Sequence, residues 1–450
     1  MLQSSPTPEM TYLRIGVLIL LTAATTPRAS AAQTLRIYHV DVEQAAATLI
    51  VSPGGRTLLV DSGKNGHGGR ILSALQTAGA TRIDHFVATH YHEDHYGGID
   101  EVVQAGVPVG AAYDRGDKAF LPASTSTSGT FKDYQAALGH RAEHLTRGQT
   151  IPLDPAMSVL CISSGGVVLG ETEPAQHGHD ENDMSLGLLV TYGAFRLWVG
   201  GDVETATESK IAALDLARDV DVYQANHHGA DNGSSAEFLA DMKPAVVIIS
   251  NGNHSGFRHP RTSTLDRMRA LVPSPVIFQT NRYLHSGDDG GNVPNAFIAD
   301  PETVDSDGTI LVTVGDSADS YTVSFGTTSH TFPLGTPEEA GPAEIARILP
   351  DPTDGPDRQR EAVTIRNGGG TPVDLTDWLL RDLAGSVWRL TGLGVLQPGQ
   401  ESTIRRGGMA MSLDNDGDTV ELLDPTGQLV DAMTYLQTQP GVEIEHEHFE

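Results

Sequence analysis

The chain has 450 residues, enough for about three average domains or one large domain with a small companion. Its 29 Lys and Arg stand against 58 Asp and Glu, and the formal charge of −29 excludes a protein that coats nucleic acid by counterion release. A single cysteine, Cys161, excludes an intrachain disulfide and Cys-rich zinc modules.

Residues 11–32 (TYLRIGVLILLTAATTPRASAA) read as an export signal. Arg14 precedes an apolar run, Ile15 to Ala24, that is too short to span a bilayer as a mature helix, and Ala29-Ser30-Ala31 has the small-x-small form of a cleavage site. This assigns residues 1–32 to a signal peptide. The mature chain is then secreted, periplasmic or at the cell surface, and is not an integral membrane protein after cleavage.

From residue 33 to about 330 strand-like and helical stretches alternate, which predicts an α/β domain with helices covering sheets. Leu35 to Val40, Ala47 to Val51 and Thr57 to Val60 read as strands closed by Gly-rich turns. Gly69 to Ala78 has helical spacing and ends at Gly79, a C-cap candidate. His85 to Thr89 is a further strand, Ser185 to Tyr192 and Ala194 to Val199 a hairpin about Gly193, and Val246 to Ser250 and Val276 to Gln279 buried strands. Asp114 to Thr150 is polar with a Ser/Thr/Gly centre and reads as a surface loop or lid. Cys161, inside an apolar run, reads as a core thiol. Residues 331–342 have linker composition. Residues 343–440 show short strands at regular intervals, the pattern of a small all-β sandwich. Residues 441–450 read as a solvated acidic and His tail.

Thr89 to Gly98 reads THYHEDHYGG, so His90, His92, Asp94 and His95 follow directly on a strand. A strand end fans such side chains into one space. His90 and His92 can share one ion, and Asp94 and His95 can turn to a second. Imidazole and carboxylate suit zinc, with manganese or iron as alternatives. Gly97 and Gly98 let the backbone turn beneath them. Asp202 follows Gly200-Gly201 at another strand tip and is expected to bridge two ions. Asn226-His227-His228-Gly229 follows a third strand and offers one more imidazole. All these groups lie at strand ends, where an open α/β sheet places its site.

The HxHxDH motif, a strand-terminal Asp and a strand-terminal His resemble the signature of the metallo-β-lactamase superfamily. Within it, Ile37 to Val60 leading to Asp61-Ser62-Gly63, then HYHEDHYGG, WVGGD, HHGA and Arg258-His259-Pro260 are most similar to the exported hydrolase domain of competence-type DNA-uptake channel proteins. That subfamily also resembles pneumococcal-type phosphocholine esterases. The resemblance implies a four-layer αββα metallo-β-lactamase fold, two zinc ions, and phosphodiester hydrolysis by metal-bound hydroxide. Carried over, His90 and His92 hold the first ion, Asp94 and His95 the second, Asp202 bridges, and His228 completes the second site. Asp94, His227 and His259 form the catalytic set, with His227 or His259 handling a proton or the developing charge, and Asp61 orients a ligand. Two departures stand out. Glu43-Gln44-Ala45-Ala46 replaces a Gly-Gln-Gly-Asp stretch. A third first-site His has only His140, His144, His177 and His179 as candidates, while Asn182 and Ser185 match the subfamily's polar substitution.

Asp374 to Asp382 (DLTDWLLRD), Leu396-Gln397-Pro398-Gly399 and Leu413 to Val420 resemble a lamin-tail-type domain, which implies an immunoglobulin-like sandwich with Trp378 in its core. Such a module tethers its partner domain to envelope, substrate or another protein, or acts as a stabilising appendage. The leading expectation is an exported dinuclear phosphodiesterase or nuclease, with nucleic acid or a small ester in the cleft. The alternatives are lactone, thioester or phosphocholine ester hydrolysis on the same metals, and a non-catalytic metal-containing binding protein.

Overall fold

The structure is a computed structural model that describes Met1 and residues 34–445, except 117, 119–120, 175–179, 286, 303–307, 316–319, 335–342, 354, 370–371, 383–385, 416, 426–428 and 436–437. The expected signal peptide, His177 and His179 lie outside the described residues.

Thr48–Val51 (TLIV), Thr57–Val60 (TLLV) and Val246–Ile249 (VVII) are apolar without alternation, and every residue in them is buried. Such strands need cover on both faces. Two large mixed sheets provide it by stacking. The first runs Thr328–Pro333, Ser320–Phe325, Ile310–Val314, Leu35–His39, Thr48–Val51, Thr57–Val60, Ile83–Ala88, Val109–Asp114 and Glu143–His144. The second runs Ile298–Asp300, Val276–Asn281, Val246–Ile249, Val222–Gln224, Phe195–Val199, Gly187–Tyr192, Met157–Ser164 and Val167–Val168.

Helices Gly68–Ala78 and Ile99–Gln104 bury Ile71, Leu75, Ile99 and Val102 against the outer face of the first sheet. Helices Thr205–Ala213, Ala236–Met242 and Thr262–Arg269 cover the second. The result is the four-layer αββα architecture. The strands beside the site run parallel: Thr57–Val60 pairs in parallel with Ile83–Ala88, and Phe195–Val199 with Val222–Gln224. Their C-terminal ends therefore lie on one edge, and the loops that follow them meet there.

Three expectations are corrected. The 114–150 stretch is not a loop: it folds into helices Ala123–Ser126 and Gly129–Tyr134 and a wider helical turn over Gln135–Gly139. Ser128 caps the second helix by accepting from the Phe131 N–H. Phe131, Tyr134 and Leu138 recur at helical spacing and enter the core, an apolar stripe masked by intervening polar residues. Residues 331–333, expected as linker, complete the edge strand Thr328–Pro333, because Phe332 is buried against Tyr321 at 5.2 Å between ring centres. Ile444–Glu445, expected in the tail, pairs with Glu344–Leu349.

The smaller domain is all-β, with four-stranded sheets ordered Glu401–Arg405, Ala362–Arg366, Glu344–Leu349, Ile444–Glu445 and Val387–Arg389, Leu379–Arg381, Asp418–Leu423, Leu429–Tyr435. Trp378 is in its core as expected, and Trp388 is buried deeper, its indole N–H donating to the Met411 carbonyl at 3.0 Å. Leu423 and Ala432 join the core of the larger domain. At this junction Glu421 is buried between Arg381, whose Nε donates to it at 2.6 Å, and the His330 ring at 3.2 Å. Among the described residues no helix is long and apolar enough to cross a membrane.

Candidate metal centre

Strand Ile83–Ala88 ends at Thr89, and the next six residues deliver four polar side chains to one point. His90 Nε2 lies 3.0 Å from His92 Nδ1 and 3.7 Å from Asp202 Oδ2. His95 Nε2 lies 3.2 Å from Asp202 Oδ1 and 4.0 Å from Asp94 Oδ2. His228 Nε2 lies 3.5 Å from both Asp94 Oδ2 and Asp202 Oδ1. The two oxygens of Asp202 thus face different neighbours. Oδ2 faces His90 and, at 3.6 Å, His227; Oδ1 faces His95 and His228. All six residues expected as ligands are brought together.

The donor chemistry fits a bound cation. His95 Nε2, His228 Nε2 and Asp202 Oδ1 are buried and have no hydrogen-bond partner among the described residues. Leaving such groups unpaired costs about 1–3 kcal/mol each. Their other ends are fixed. His95 Nδ1 donates to Asp61 Oδ2 at 2.7 Å, and His228 Nδ1 donates to the Ser250 carbonyl at 2.8 Å. With Nδ1 engaged in each ring, Nε2 is the atom left to face the centre, as in metal-binding imidazoles. Two groups of ligand atoms lie within 4.8 Å of one another, one from His90, His95 and Asp202 and the other from Asp94, His95 and His228.

The electrostatics agree. Burial raises the Asp202 carboxyl, but the imidazoles of His95, His227 and His228 overcome this and hold it well below the carboxylate range. Burial opposes a charged His95, but Asp202 and Asp61 raise it well above the ordinary imidazole value. His90 is pushed well below that value by burial and by the nearby His95. An anionic floor among imidazoles draws a divalent cation.

Backbone close approach explains several glycines. A Cβ on Gly201, which has φ +55, would strike the Thr89 hydroxyl, and one on Gly200 would strike Asn226 and Trp198. Gly97 and Gly98 have ordinary φ of −67° and −92°, so they are not needed for the turn. They are small because Asn65 and Ser62 backbone atoms pass where a Cβ would sit.

His227, His259, Gln44 and Asn182 line the same cleft of about 390 Å³. Burial, with His228 and His227 nearby, pushes His259 down to about 3, so it is neutral. Gln44, in the stretch that departs from the family pattern, lies 3.2 Å from His259 Nδ1. Asn182 Nδ2 points to His227 Nε2 at 3.4 Å, and Ser185 Oγ accepts from the Asp202 N–H at 3.1 Å. His140 and His144 are exposed and do not line the cleft.

Sequence reasoning missed the supports. Glu181 accepts from the Tyr91 N–H at 2.7 Å and clasps Arg115 Nε and Nη2 at 2.7 and 2.6 Å. The Tyr91 ring packs on Phe131 and Tyr134, so the helical insertion braces the ligand loop. Glu204 faces His227 Nδ1 at 3.5 Å, and Glu208 anchors the His227-His228 loop. Their one local signal is position, because both begin the helix that follows Asp202.

The sequence model of a family described as Metallo-beta-lactamase superfamily matches residues 40–250. The larger domain belongs to that superfamily. A second, Lamin Tail Domain, matches residues 336–437. Recombination protein 2 of Haemophilus influenzae is 26% identical over 52% of this chain and 26% of its own length. Competence protein ComA of Neisseria gonorrhoeae is 27% identical over 50% of this chain and 28% of its own. The chain thus matches about a quarter of the length of these relatives. Among solved structures, zinc-bound PqqB from Methylobacterium extorquens is 16% identical, over 54% of this chain and 87% of that one, with a TM-score of 0.34.

Within this superfamily domain, Asp61→Asn is expected to weaken zinc binding by about 10–100-fold, the usual cost of losing an outer partner of a ligating His. The amide keeps an acceptor for the Thr89 N–H but can no longer accept on both oxygens from His95 and Thr89. Competition with a chromophoric chelator measures this, and unchanged affinity would remove Asp61 from the centre.

Proposed function

We propose that the chain is an exported metal-dependent hydrolase that cleaves phosphodiesters of nucleic acid. The observation that carries this is Asp202, whose two oxygens face different neighbours on the floor of an open cleft, Oδ2 the His90 and His227 rings and Oδ1 the unpaired Nε2 atoms of His95 and His228. In this reading His90 and His92 would hold one ion and Asp94, His95 and His228 the other, with Asp202 serving both. Two such ions, zinc or else manganese or iron, supply Lewis acidity to the phosphoryl oxygens and an activated water.

The chain's own residues do the rest. Asp61 and the Ser250 carbonyl keep the ligand rings aimed inward. His227 stands between Asn182, Glu204 and Asp202, where it reaches a leaving oxygen and passes it a proton. His259, held by Gln44, is a neutral donor or acceptor for the phosphate. Asp94, a fifth exposed on its side chain, would be the ligand carboxylate most open to the cleft. Relatives named for recombination and competence direct the choice of phosphodiester to nucleic acid. The lamin-tail-type module serves as a tether to envelope or protein.

The test is hydrolysis of bis-p-nitrophenyl phosphate by the zinc-loaded chain. Asp94→Ala and His228→Ala are each expected to lower turnover at least about 100-fold, comparable to removing one strong electrostatic contact to the reacting group. Turnover untouched by both changes would sink the assignment.

A further inference from the structure

The mouth of the cleft carries two unlike features that the proposed chemistry leaves unused. One is a ladder of rings. His228 and His259 stack with centres 6.2 Å apart and planes at 15°. Phe257 follows 5.9 Å from His259, and His254 lies 4.6 Å beyond it. Phe257 is 45% exposed, and among the described residues it is the only exposed Phe, Tyr or Trp. His254 Nδ1 accepts from the backbone N–H groups of Gly256 and Phe257 at 3.2 and 3.3 Å, which fixes the ring on its loop.

The other is Lys64, among the described residues the only Lys or Arg lining the cleft, with Nζ over the Phe257 ring at 5.8 Å from its centre. Arg258 and Arg261 are both paired with Asp289. Lys64 makes no ion pair among the described residues, in a chain whose acidic groups outnumber its basic ones two to one. A half-exposed ring and, beside it, a cation without an ion pair among the described residues match a ligand that is planar and apolar on one side and anionic on the other.

Resting on the phosphodiesterase reading, we infer that Phe257 and Lys64 form a subsite for an unpaired nucleobase and its flanking phosphate, which makes single-stranded nucleic acid the substrate class. The ring stacks on the base, and the ammonium contacts the phosphate next to the one being cleaved. Stacking of this kind tolerates any base, because each has a π face. It requires that face to be free, and in a duplex neighbouring pairs cover it. A cleft of about 390 Å³ is of small-molecule size and admits a strand end or a splayed nucleotide.

The experiment uses the zinc-loaded full chain and three substrates: a short deoxyoligonucleotide, the same backbone without bases, and the duplex. The intact strand is expected to exceed the abasic one about tenfold or more in kcat/KM, mainly through KM. Phe257→Ala brings that ratio close to one, and Phe257→Trp restores it. Lys64→Ala weakens binding of both strands and flattens the salt dependence by about 0.7 in log–log slope. An unchanged ratio in Phe257→Ala, or a duplex cut as fast as the strand, overturns the inference. If the wild type cleaves neither these nor bis-p-nitrophenyl phosphate, the phosphodiesterase reading has failed instead. Fluorescence anisotropy with a phosphorothioate single strand then decides the subsite: weaker binding by Phe257→Ala supports it, and equal binding overturns it.

Discussion

On the proposed two-ion reading, Asp202→Asn is expected to lower bound zinc to at most one ion per chain and to reduce kcat/KM at least about 10³-fold. The side chain is only 4% exposed, and its oxygens meet four imidazoles between 3.2 and 3.7 Å. Asparagine keeps the shape. It replaces the anion that faces His90 and His227 with one oxygen and His95 and His228 with the other by a neutral amide, and one of these faces becomes an N–H donor. Removing a single electrostatic contact at a reacting group typically costs 10²–10³ in rate, and here both metal positions lose their shared charge.

Elemental analysis of the purified variant and turnover of bis-p-nitrophenyl phosphate check the two parts separately. A third readout needs no activity. A ligand that binds only the folded chain raises its unfolding temperature, so zinc is expected to stabilise the wild type markedly and the variant much less. Full zinc content with full activity in Asp202→Asn would mean that the two ligand groups do not share this carboxylate.

That the expected ligands would meet at one point was legible because they are local in sequence. His90, His92, Asp94 and His95 fall within six residues after a strand, and Asp202 and His228 each follow a strand of their own. No long-range knowledge is needed to place such residues on one edge of a parallel sheet. The same strand logic recovered most of the central elements of the larger domain. It failed where the determinant is a partner far along the chain. Phe131, Tyr134 and Leu138 looked like isolated apolar residues in a polar stretch, yet they pack on Tyr91 and Tyr96 of the ligand loop. Ile444–Glu445 is a strand only because Glu344–Leu349 offers it an edge. Phe257 and Lys64 lie almost two hundred positions apart, and nothing in either neighbourhood announces that the ammonium lies over the ring.

Glu208→Ala is expected to be the most destabilising single change near the centre, although Glu208 touches no expected ligand atom. Its carboxylate is fully buried and accepts from Asn226 Nδ2 at 2.7 Å, the Ser234 N–H at 2.6 Å and the Ser235 N–H at 2.7 Å. Burial pushes its carboxyl up, and these three donors oppose that rise. Asn226 in turn accepts from the Trp198 indole at 2.9 Å, so the network ties the strand before Asp202 to the loop carrying His227 and His228. That loop needs tying. Both histidines have left-handed backbone, with φ of +50° and +55°, a conformation that costs non-glycine residues about 1–3 kcal/mol each. Alanine leaves three buried donors without an acceptor. At about 1–3 kcal/mol apiece, only partly relieved by water, the loss is about 3–6 kcal/mol against a typical total stability of 5–15 kcal/mol. For a domain of this size that is a fall of roughly 6–20 °C in Tm. Glu208→Gln keeps one acceptor oxygen and should lose about half as much. Thermal unfolding measures both, and a zinc titration separates the local effect from the global one. If the network positions the histidines, the folded Glu208→Gln variant binds zinc more weakly than the wild type. If Glu208 merely fills space, zinc affinity is unchanged and only Tm falls.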